Sequence, residues 1–325
     1  VDKRSLRILT NMTFHQSPEW VATTDSIYPE HGRHTAAPLS PLKEAWLLFK
    51  NRRDYDVVHT MGIRESMFYG LLCLLARTPS KQIMTEIFVD EDHLASTTWR
   101  IKTAFHRLIA RRALGIITNS QAEIPALAER LALSEDRFRY VPLNTTVPPS
   151  SAPLPGEGFL LAAGRSLRDY ETLIQASPAM DEPLIIIGGS DDLQHAALPP
   201  NVTLLREVDR TTYLDYVRRC SILILPLKRT TRPTGQVVLL EAMSFGKPVI
   251  ATDHVGTRDY IQHAADGLLI PPGDPTALAN AANGLLADPV AAEAIGQAAL
   301  RSIREEHTDL IHTQRRLNAL RDLAS

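Results

Sequence analysis

Two basic stretches and one isolated acid have residue types and spacing suited to chemistry on an anionic ligand. The run "SILILPLKRTTRPTGQ" (Ser221–Gln236) ends an apolar strand at Leu227. Three cations follow, Lys228, Arg229 and Arg232, and a helical pattern then opens at Thr234-Gly235-Gln236. Thr234 is a residue type that caps helices. Gly235 lets backbone N–H groups approach a ligand closely, and free N–H groups with the helix dipole favour an anion. The same residues also read as an ordinary capped helix beside a solvated basic loop. About one and a half turns on stands Glu241, in "QVVLLEAMSFG". A carboxylate among apolar residues is costly if buried without a partner. Val237, Val238, Ser244 and Phe245, one turn to either side, offer no cation. Such a carboxylate suits a ligand diol, such as a ribose, or is a plain solvent-facing Glu. The second basic stretch is "AAGRSLRDYETL" (Ala162–Leu173). Arg165 stands at a strand end and Arg168 in the next turn. Arginine takes phosphate through paired hydrogen bonds; the plain alternative is a surface ion pair with Asp169 or Glu171. Asp90, Glu91, Asp92 and His93 have metal-ligand types, but contiguous acids read as a solvated loop, and no metal is expected.

These residues need strands and helices to position them, and the sequence supplies an alternating pattern of both. Strand runs in the first half are Leu6–Thr10, Asp56–Thr60, Gln82–Phe88, Gly115–Ser120 and Phe138–Leu143. Helical runs between them cover Leu42–Asn51, Glu65–Arg77, Thr98–Ala113 and Ala122–Leu131. The stretch "NTTVPPSSAPLPGEG" (Asn144–Gly158) holds four prolines and no apolar period, and reads as a linker. The rhythm then restarts. Strands are expected at Phe159–Gly164, Pro183–Gly189, Val202–Leu205, Ser221–Leu227, Pro248–Thr252 and Gly267–Pro271. Helices are expected at Arg168–Ala176, Arg210–Arg219, Gly235–Phe245 and Pro275–Ala287, and over most of Ala291–Leu323. This is an α/β chain of two doubly wound, Rossmann-like parallel-sheet domains facing an interdomain cleft. Its expected boundaries are residues 1–147, a linker at 148–158, a second domain at 159–307, and a last helix at 308–325 packing back on the first domain. In such sheets ligands bind beyond the carboxyl ends of the strands, where the strand order reverses.

Composition excludes several classes. The chain has 325 residues, enough for about two domains. Lys plus Arg is 35 against 37 Asp plus Glu, for a net charge of −2; a general nucleic-acid binder would be basic overall. The two cysteines, Cys73 and Cys220, sit in apolar runs and give no disulfide framework. No signal segment opens the sequence, and the longest apolar stretch, Met67–Ala76, is far short of the ~20 residues that span a bilayer. A cytoplasmic location is expected. After the first strand comes "NMTFHQSPEW" rather than G-x-G-x-x-G, and neither a P-loop nor a G-x-S-x-G elbow occurs. The run Thr97–Gly115 is basic and amphipathic, with Trp99, Phe105, Leu108 and Ile109 among Arg100, Lys102, Arg107, Arg111 and Arg112. It reads as a covering helix, or as a peripheral contact with an anionic membrane.

The motifs "GRSLRDYETLIQA", "CSILILPL", "TGQVVLLEAMSFGKPVIATDHVGTRDYI" and "DGLLIPPGDPTALANAANGLL", in order between Phe159 and Ala287, resemble the C-terminal domain of the family-4 glycosyltransferases. The resemblance implies the GT-B fold, a nucleotide-sugar donor in the second domain and an acceptor in the first. It also implies retention of configuration, no metal, and no cofactor other than the nucleotide-diphosphate sugar as co-substrate. Carried over by position, Arg165 matches the arginine that contacts the diphosphate, and Arg168 is the nearest substitute for its partner lysine. Gly235, Gln236 and Val237, behind Thr234, sit where backbone amides meet the diphosphate, and Lys228 adds charge there. Glu241 matches the second Glu of a Glu-x7-Glu motif, which holds the ribose. Arg206–Val208 matches the segment beside the base, so Val208 is a candidate contact. Glu86 stands where the family often has a His, and is a candidate for the donor sugar or acceptor hydroxyl. Asn11, His15 and Gln16 replace a glycine-rich loop and are expected on the acceptor side. The sequence departs from the family at Pro233, which stands in place of the first Glu. The reading is a glycosyltransferase acting on a glycan, a lipid-linked sugar or a small molecule. Its alternatives are a non-catalytic nucleotide-sugar-binding partner and a GT-B sugar-nucleotide epimerase.

Overall fold

The computed structural model describes residues 6–12, 17–28, 39–87, 97–188, 193, 198–206 and 208–325. His15, Gln16 and the Asp90–His93 cluster lie outside them. The chain divides into two compact units: Val1–Pro142 with Asp309–Ser325, and Leu143–Thr308.

The first unit is a parallel sheet in the order β2-β1-β3-β4-β5-β6. Its strands are β1 (Ile8–Thr10), β2 (Thr24–Ser26), β3 (Val57–Met61), β4 (Gln82–Thr85), β5 (Gly115–Thr118) and β6 (Phe138–Tyr140). The helices are α1 (Pro18–Thr23), α2 (Pro41–Asn51), α3 (Ile63–Leu75), α4 (Thr97–Ala110), α5 (Ile124–Leu131) and, from the far end of the chain, α11 (Asp309–Ala324). Strand β2 and helix α1 are absent from the sequence reading. At "TDS" β2 has no apolar run to mark it, and it is an edge strand held by register with Ile8–Thr10. Leu317 and Leu320 of α11 complete an apolar cluster with Ile8, Met12, Trp20, Ile83 and Ile117.

The second unit is a parallel sheet in the order β12-β11-β10-β7-β8-β9. The strands are β7 (Leu160–Gly164), β8 (Leu184–Gly188), β9 (Val202–Leu205), β10 (Ile222–Leu225), β11 (Val249–Thr252) and β12 (Leu268–Ile270). Helices α6 (Tyr170–Ala176), α7 (Arg210–Arg219), α8 (Gln236–Ser244), α9 (Pro275–Ala287) and α10 (Pro289–Glu306) alternate with them. Two apolar clusters flank the sheet, as a parallel sheet covered on both faces requires. Local chemistry fixes the helix starts. The carboxylates of Asp169, Asp209, Asp274 and Asp288 each accept a backbone N–H in the first turn of α6, α7, α9 and α10, and α9 and α10 also carry proline there.

The segment expected as a linker, 148–158, is packed onto the second unit. Ser150 N–H donates to Ser244 O at 2.8 Å, Leu154 N–H to Phe245 O at 3.0 Å and Glu157 N–H to Arg219 O at 2.8 Å. The buried ammonium of Lys247 donates to the carbonyls of Leu154 and Pro155, both at 2.9 Å. The segment thus both donates to and accepts from the second unit, and the unit begins at Leu143.

Candidate functional site

In the second unit the chain leaves β7 to one side for β8 and β9, then returns to β10 on the other. The order therefore reverses between β7 and β10, and their carboxyl-end loops diverge, which is where a crevice is expected. A cavity of about 190 Å³ opens at this edge. Its wall draws on the ends of β7 (Gly164, Arg165) and β8 (Ile187, Gly188), on Val208, on α7 (Arg210, Tyr213) and on α8 (Val237, Val238, Glu241). Sequence candidates Arg165, Val208, Val237 and Glu241 thus meet on one wall. Arg165 is exposed and Val237 stands 44% exposed at the start of α8.

Gly235, not Thr234, occupies the N-cap of α8. Its φ of +88° is left-handed, and a Cβ there would meet Leu225 Cδ2 at 2.8 Å, so only glycine fits without strain. No side chain caps α8, in contrast to its Asp-capped neighbours. Thr234 and Gly235 are partly buried and Gln236 is buried; none of the three is on the cavity wall. Pro233 is buried. Lys228 is exposed in the loop after β10, and its backbone N–H donates to Leu167 O at 3.0 Å.

The turn before α8 is backed by a second turn after β11. Gly256 N–H donates to His254 Nδ1 at 3.0 Å, and the Thr257 hydroxyl donates to Thr252 O at 2.6 Å. A Cβ on Gly256 would lie 2.5 Å from both N and O of Thr234. The two backbones touch because residue 256 has no side chain.

Arg168, expected at the phosphates, is turned inward. Only 7% exposed, its Nε donates to Ala163 O at 2.9 Å and its Nη1 to Ser166 O at 2.8 Å and to Thr234 Oγ1 at 3.5 Å. Burial pulls its pKa below the usual arginine value. The loop between Arg165 and Arg168 is short, and carbonyls of β7 (Ala163) and of the loop (Ser166) accept from the guanidinium, so Arg168 braces the loop against Thr234 rather than facing the cavity.

Glu241 also departs from expectation. Its side chain is 0% exposed. Oε1 accepts from Thr146 Oγ1 and from Arg210 Nη2, both at 2.5 Å, and Oε2 accepts from the Tyr213 hydroxyl at 2.6 Å. The carboxylate expected to face a diol is covered by protein donors. Reading along α8 finds no cation for it because the partner lies 31 residues upstream. The spacing of Arg210 and Tyr213, three apart on α7, puts both on one helix face, and this is the signal that would have revealed them. Burial, and then the Glu241 carboxylate, push the Tyr213 hydroxyl pKa well up.

At the carboxyl edge of the first sheet, Asn11 is buried and joins the two diverging loops. Its Nδ2 donates to Met61 O at 3.0 Å and to Glu44 Oε2 at 2.6 Å, and Met61 N–H donates to its Oδ1 at 2.8 Å. Glu44 also accepts from the Tyr28 hydroxyl. Glu86 directly follows β4 with a left-handed φ of +58°, an uncommon conformation for a residue with a side chain. Burial raises its carboxyl pKa, and the nearby Arg316 guanidinium opposes that rise. Arg316 of α11 is 1% exposed, and its Nε has no hydrogen-bond partner among the described residues. On α4, Trp99 and Ile109 are buried in the core and are not part of an outer apolar face, whereas Ile101 and Leu108 are 67% and 47% exposed. No helix among the described residues is long and apolar enough to cross a membrane, and none of their His, Cys, Asp and Glu form a metal-binding group.

Residues 159–288 match the family model for Glycosyl transferases group 1. The chain is 30% identical over 163 residues to the D-rhamnosyltransferase WbpZ of Pseudomonas aeruginosa, covering 47% of this chain and 42% of the relative. It therefore spans less than half the length of that relative. Among solved structures, Anabaena Alr3699/HepE in complex with UDP superposes with a TM-score of 0.69 at 14% identity, over 97% of this chain and all of the other. A glycosyltransferase from Rickettsia africae does so with a TM-score of 0.67 at 15% identity, over 98% and 99%. At these identities the structural likeness is one of fold. The chain has the two-sheet GT-B fold, and its residues 159–288 are similar to the Glycosyl transferases group 1 domain.

Proposed function

We propose that this chain is a glycosyltransferase that moves a sugar from a nucleoside diphosphate donor to an acceptor hydroxyl, with the donor held by the second unit. The observation that carries this reading is the cavity at the carboxyl edge of β7 and β8, where Arg165 and the start of an uncapped helix meet in the family-matched segment. Breaking a sugar–phosphate bond leaves negative charge on the diphosphate. Arg165, Lys228 and the first N–H groups of α8, from Gln236 and Val237, are the donors that would stabilise it, while Gly235 and Thr234 shape the turn. Val208 would pack beside the base. UDP, the nucleotide in the Anabaena structure, is the first donor nucleotide to try.

Retention follows if the leaving phosphate itself takes the acceptor proton, a route that needs neither a side-chain base at residue 233 nor a metal. Glu86 is proposed to meet the reacting hydroxyl or the donor sugar; its raised pKa suits a group that exchanges a proton nearer neutrality. The acceptor is a glycan, a lipid-linked sugar or a small molecule. The exposed face of α4 and the turn after it presents Arg100, Lys102, Arg107, Arg111 and Arg112 around Ile101 and Leu108. With no acid between residues 97 and 115, this face fits an anionic membrane carrying a lipid-linked acceptor. Cosedimentation with anionic vesicles, lost in Ile101→Ser/Leu108→Ser, tests that contact.

The enzymatic reading is tested by release of nucleoside diphosphate from UDP-, GDP-, ADP- and dTDP-sugars with mixed acceptors. One donor is expected to turn over, and Arg165→Ala to abolish the release. Donor binding without any turnover would favour a non-catalytic nucleotide-sugar-binding protein, a reading that Pro233 in place of an acid supports. Sugar conversion with the nucleotide still attached would favour an epimerase.

A further inference from the structure

The donor cavity has a feature that the sequence motifs do not contain. Its acid, Glu241, is sealed, and the group that lies over it is Arg210. The Glu241 side chain is 0% exposed and the Arg210 side chain 51% exposed. Arg210 uses one terminal nitrogen, Nη2, for both of its bonds, to Glu241 Oε1 and, at 2.9 Å, to Thr146 Oγ1. A guanidinium carries five N–H donors, so the three on Nε and Nη1 have no partner among the described residues. The guanidinium carbon also stands 5.5 Å from the centroid of the Tyr213 ring, on the same cavity wall.

A ligand hydroxyl can reach Glu241 only if Arg210, Tyr213 or Thr146 moves away. Removing a guanidinium from a fully buried carboxylate strips that charge of its partner, and a hydroxyl hydrogen bond returns less than a buried pair loses. The economical arrangement keeps the pair intact and lets the ligand meet its outer side. We infer that Arg210 is a further donor-contacting residue of this cavity beside Arg165, offering its free N–H groups to oxygens of the ribose–diphosphate segment, and that Glu241 is a positioning residue that acts through Arg210. The inference rests on the nucleoside diphosphate reading of the cavity. It changes who touches the ligand: the carboxylate fixes the fork, and the fork binds.

The test is calorimetric titration of UDP, GDP, ADP and dTDP into wild type, Arg210→Lys, Arg210→Met, Glu241→Gln and the double variant Arg210→Met/Glu241→Gln, with the melting temperature of each. For the nucleotide that wild type binds best, Arg210→Met is expected to weaken binding at least tenfold. Arg210→Lys should recover part of that loss. Glu241→Gln should weaken binding too, and the double variant should be within threefold of Arg210→Met, because the two residues act in series. Arg210→Met leaves a buried acid alone and is open to misfolding. The double variant removes both charges, so its tenfold loss at a wild-type melting temperature carries the same conclusion. Wild-type-like or tighter binding by Arg210→Met, or by the double variant, overturns the inference, as do losses in the single variants that multiply in the double. If wild type binds none of the four nucleotides, the donor reading itself fails and takes this inference with it.

Discussion

Gly256→Ala should damage donor binding as well as folding. The added methyl would lie 2.5 Å from the N and O of Thr234 and 3.2 Å from Pro233 Cα. Ordinary contact begins at 3.4 Å, so the Thr234 backbone must retreat by about 0.9 Å or the 254–257 turn must open. That turn is held by the Gly256–His254 and Thr257–Thr252 hydrogen bonds, and both obstructing atoms are backbone, so no side chain can simply rotate away. Overpacking of this kind costs about 1–3 kcal/mol. The displaced segment leads straight into the N-cap of α8, and a shift on the order of 1 Å in a positioning element can cost ~100-fold in rate. The assay pairs thermal unfolding with the dissociation constant for the preferred nucleoside diphosphate. A melting temperature lowered by a few degrees with binding weakened at least tenfold is expected. Binding within threefold of wild type would show that the two turns do not transmit position to the phosphate site.

Other outcomes follow from single contacts. Gly284→Ala, at an exposed site inside α9 with open space around its Cα, should stabilise by about 0.5–1 kcal/mol in thermal unfolding and leave nucleotide binding unchanged. Arg168→Met should lower the melting temperature and weaken nucleotide binding, because the carbonyls of Ala163 and Ser166 lose their donor; each buried group left unsatisfied costs about 1–3 kcal/mol. His106 is buried with Nδ1 unpartnered among the described residues, and burial lowers its pKa from 6.5 to about 4. The unfolded chain therefore binds a proton between those values that the folded chain refuses. Stability from this group is full above pH 6.5 and falls as pH drops towards 4, and His106→Leu should flatten that part of the melting-temperature profile.

Most of the fold was legible because parallel strands buried on both faces leave continuous apolar runs such as "ILIL" in β10. Strand β2 was not, because three residues at a sheet edge carry no apolar pattern. The placement of candidates was legible where it depends on a strand end, as for Arg165 on the cavity wall, or on a backbone turn, as for Gly235 at the N-cap of α8. It was not legible where partners come from elsewhere in the chain. Glu241 is covered by Thr146, Arg210 and Tyr213, which belong to the unit's first segment and to α7. Arg168 has the chemistry of a phosphate ligand, yet carbonyls of the preceding strand and loop, Ala163 and Ser166, claim it. Gly256 matters for what it lacks, and only the approach of Thr234 reveals that.

The cavity at the carboxyl edge of β7 and β8 is proposed to hold a nucleoside diphosphate through Arg165. Calorimetric titration of UDP, GDP, ADP and dTDP into wild type and Arg165→Ala tests it most directly. One nucleotide should bind wild type with one-to-one stoichiometry. Arg165→Ala should weaken that binding at least tenfold without moving the melting temperature of the free protein, since Arg165 is exposed. Equal affinity in the two proteins, or no binding of any nucleotide to wild type, would contradict the claim.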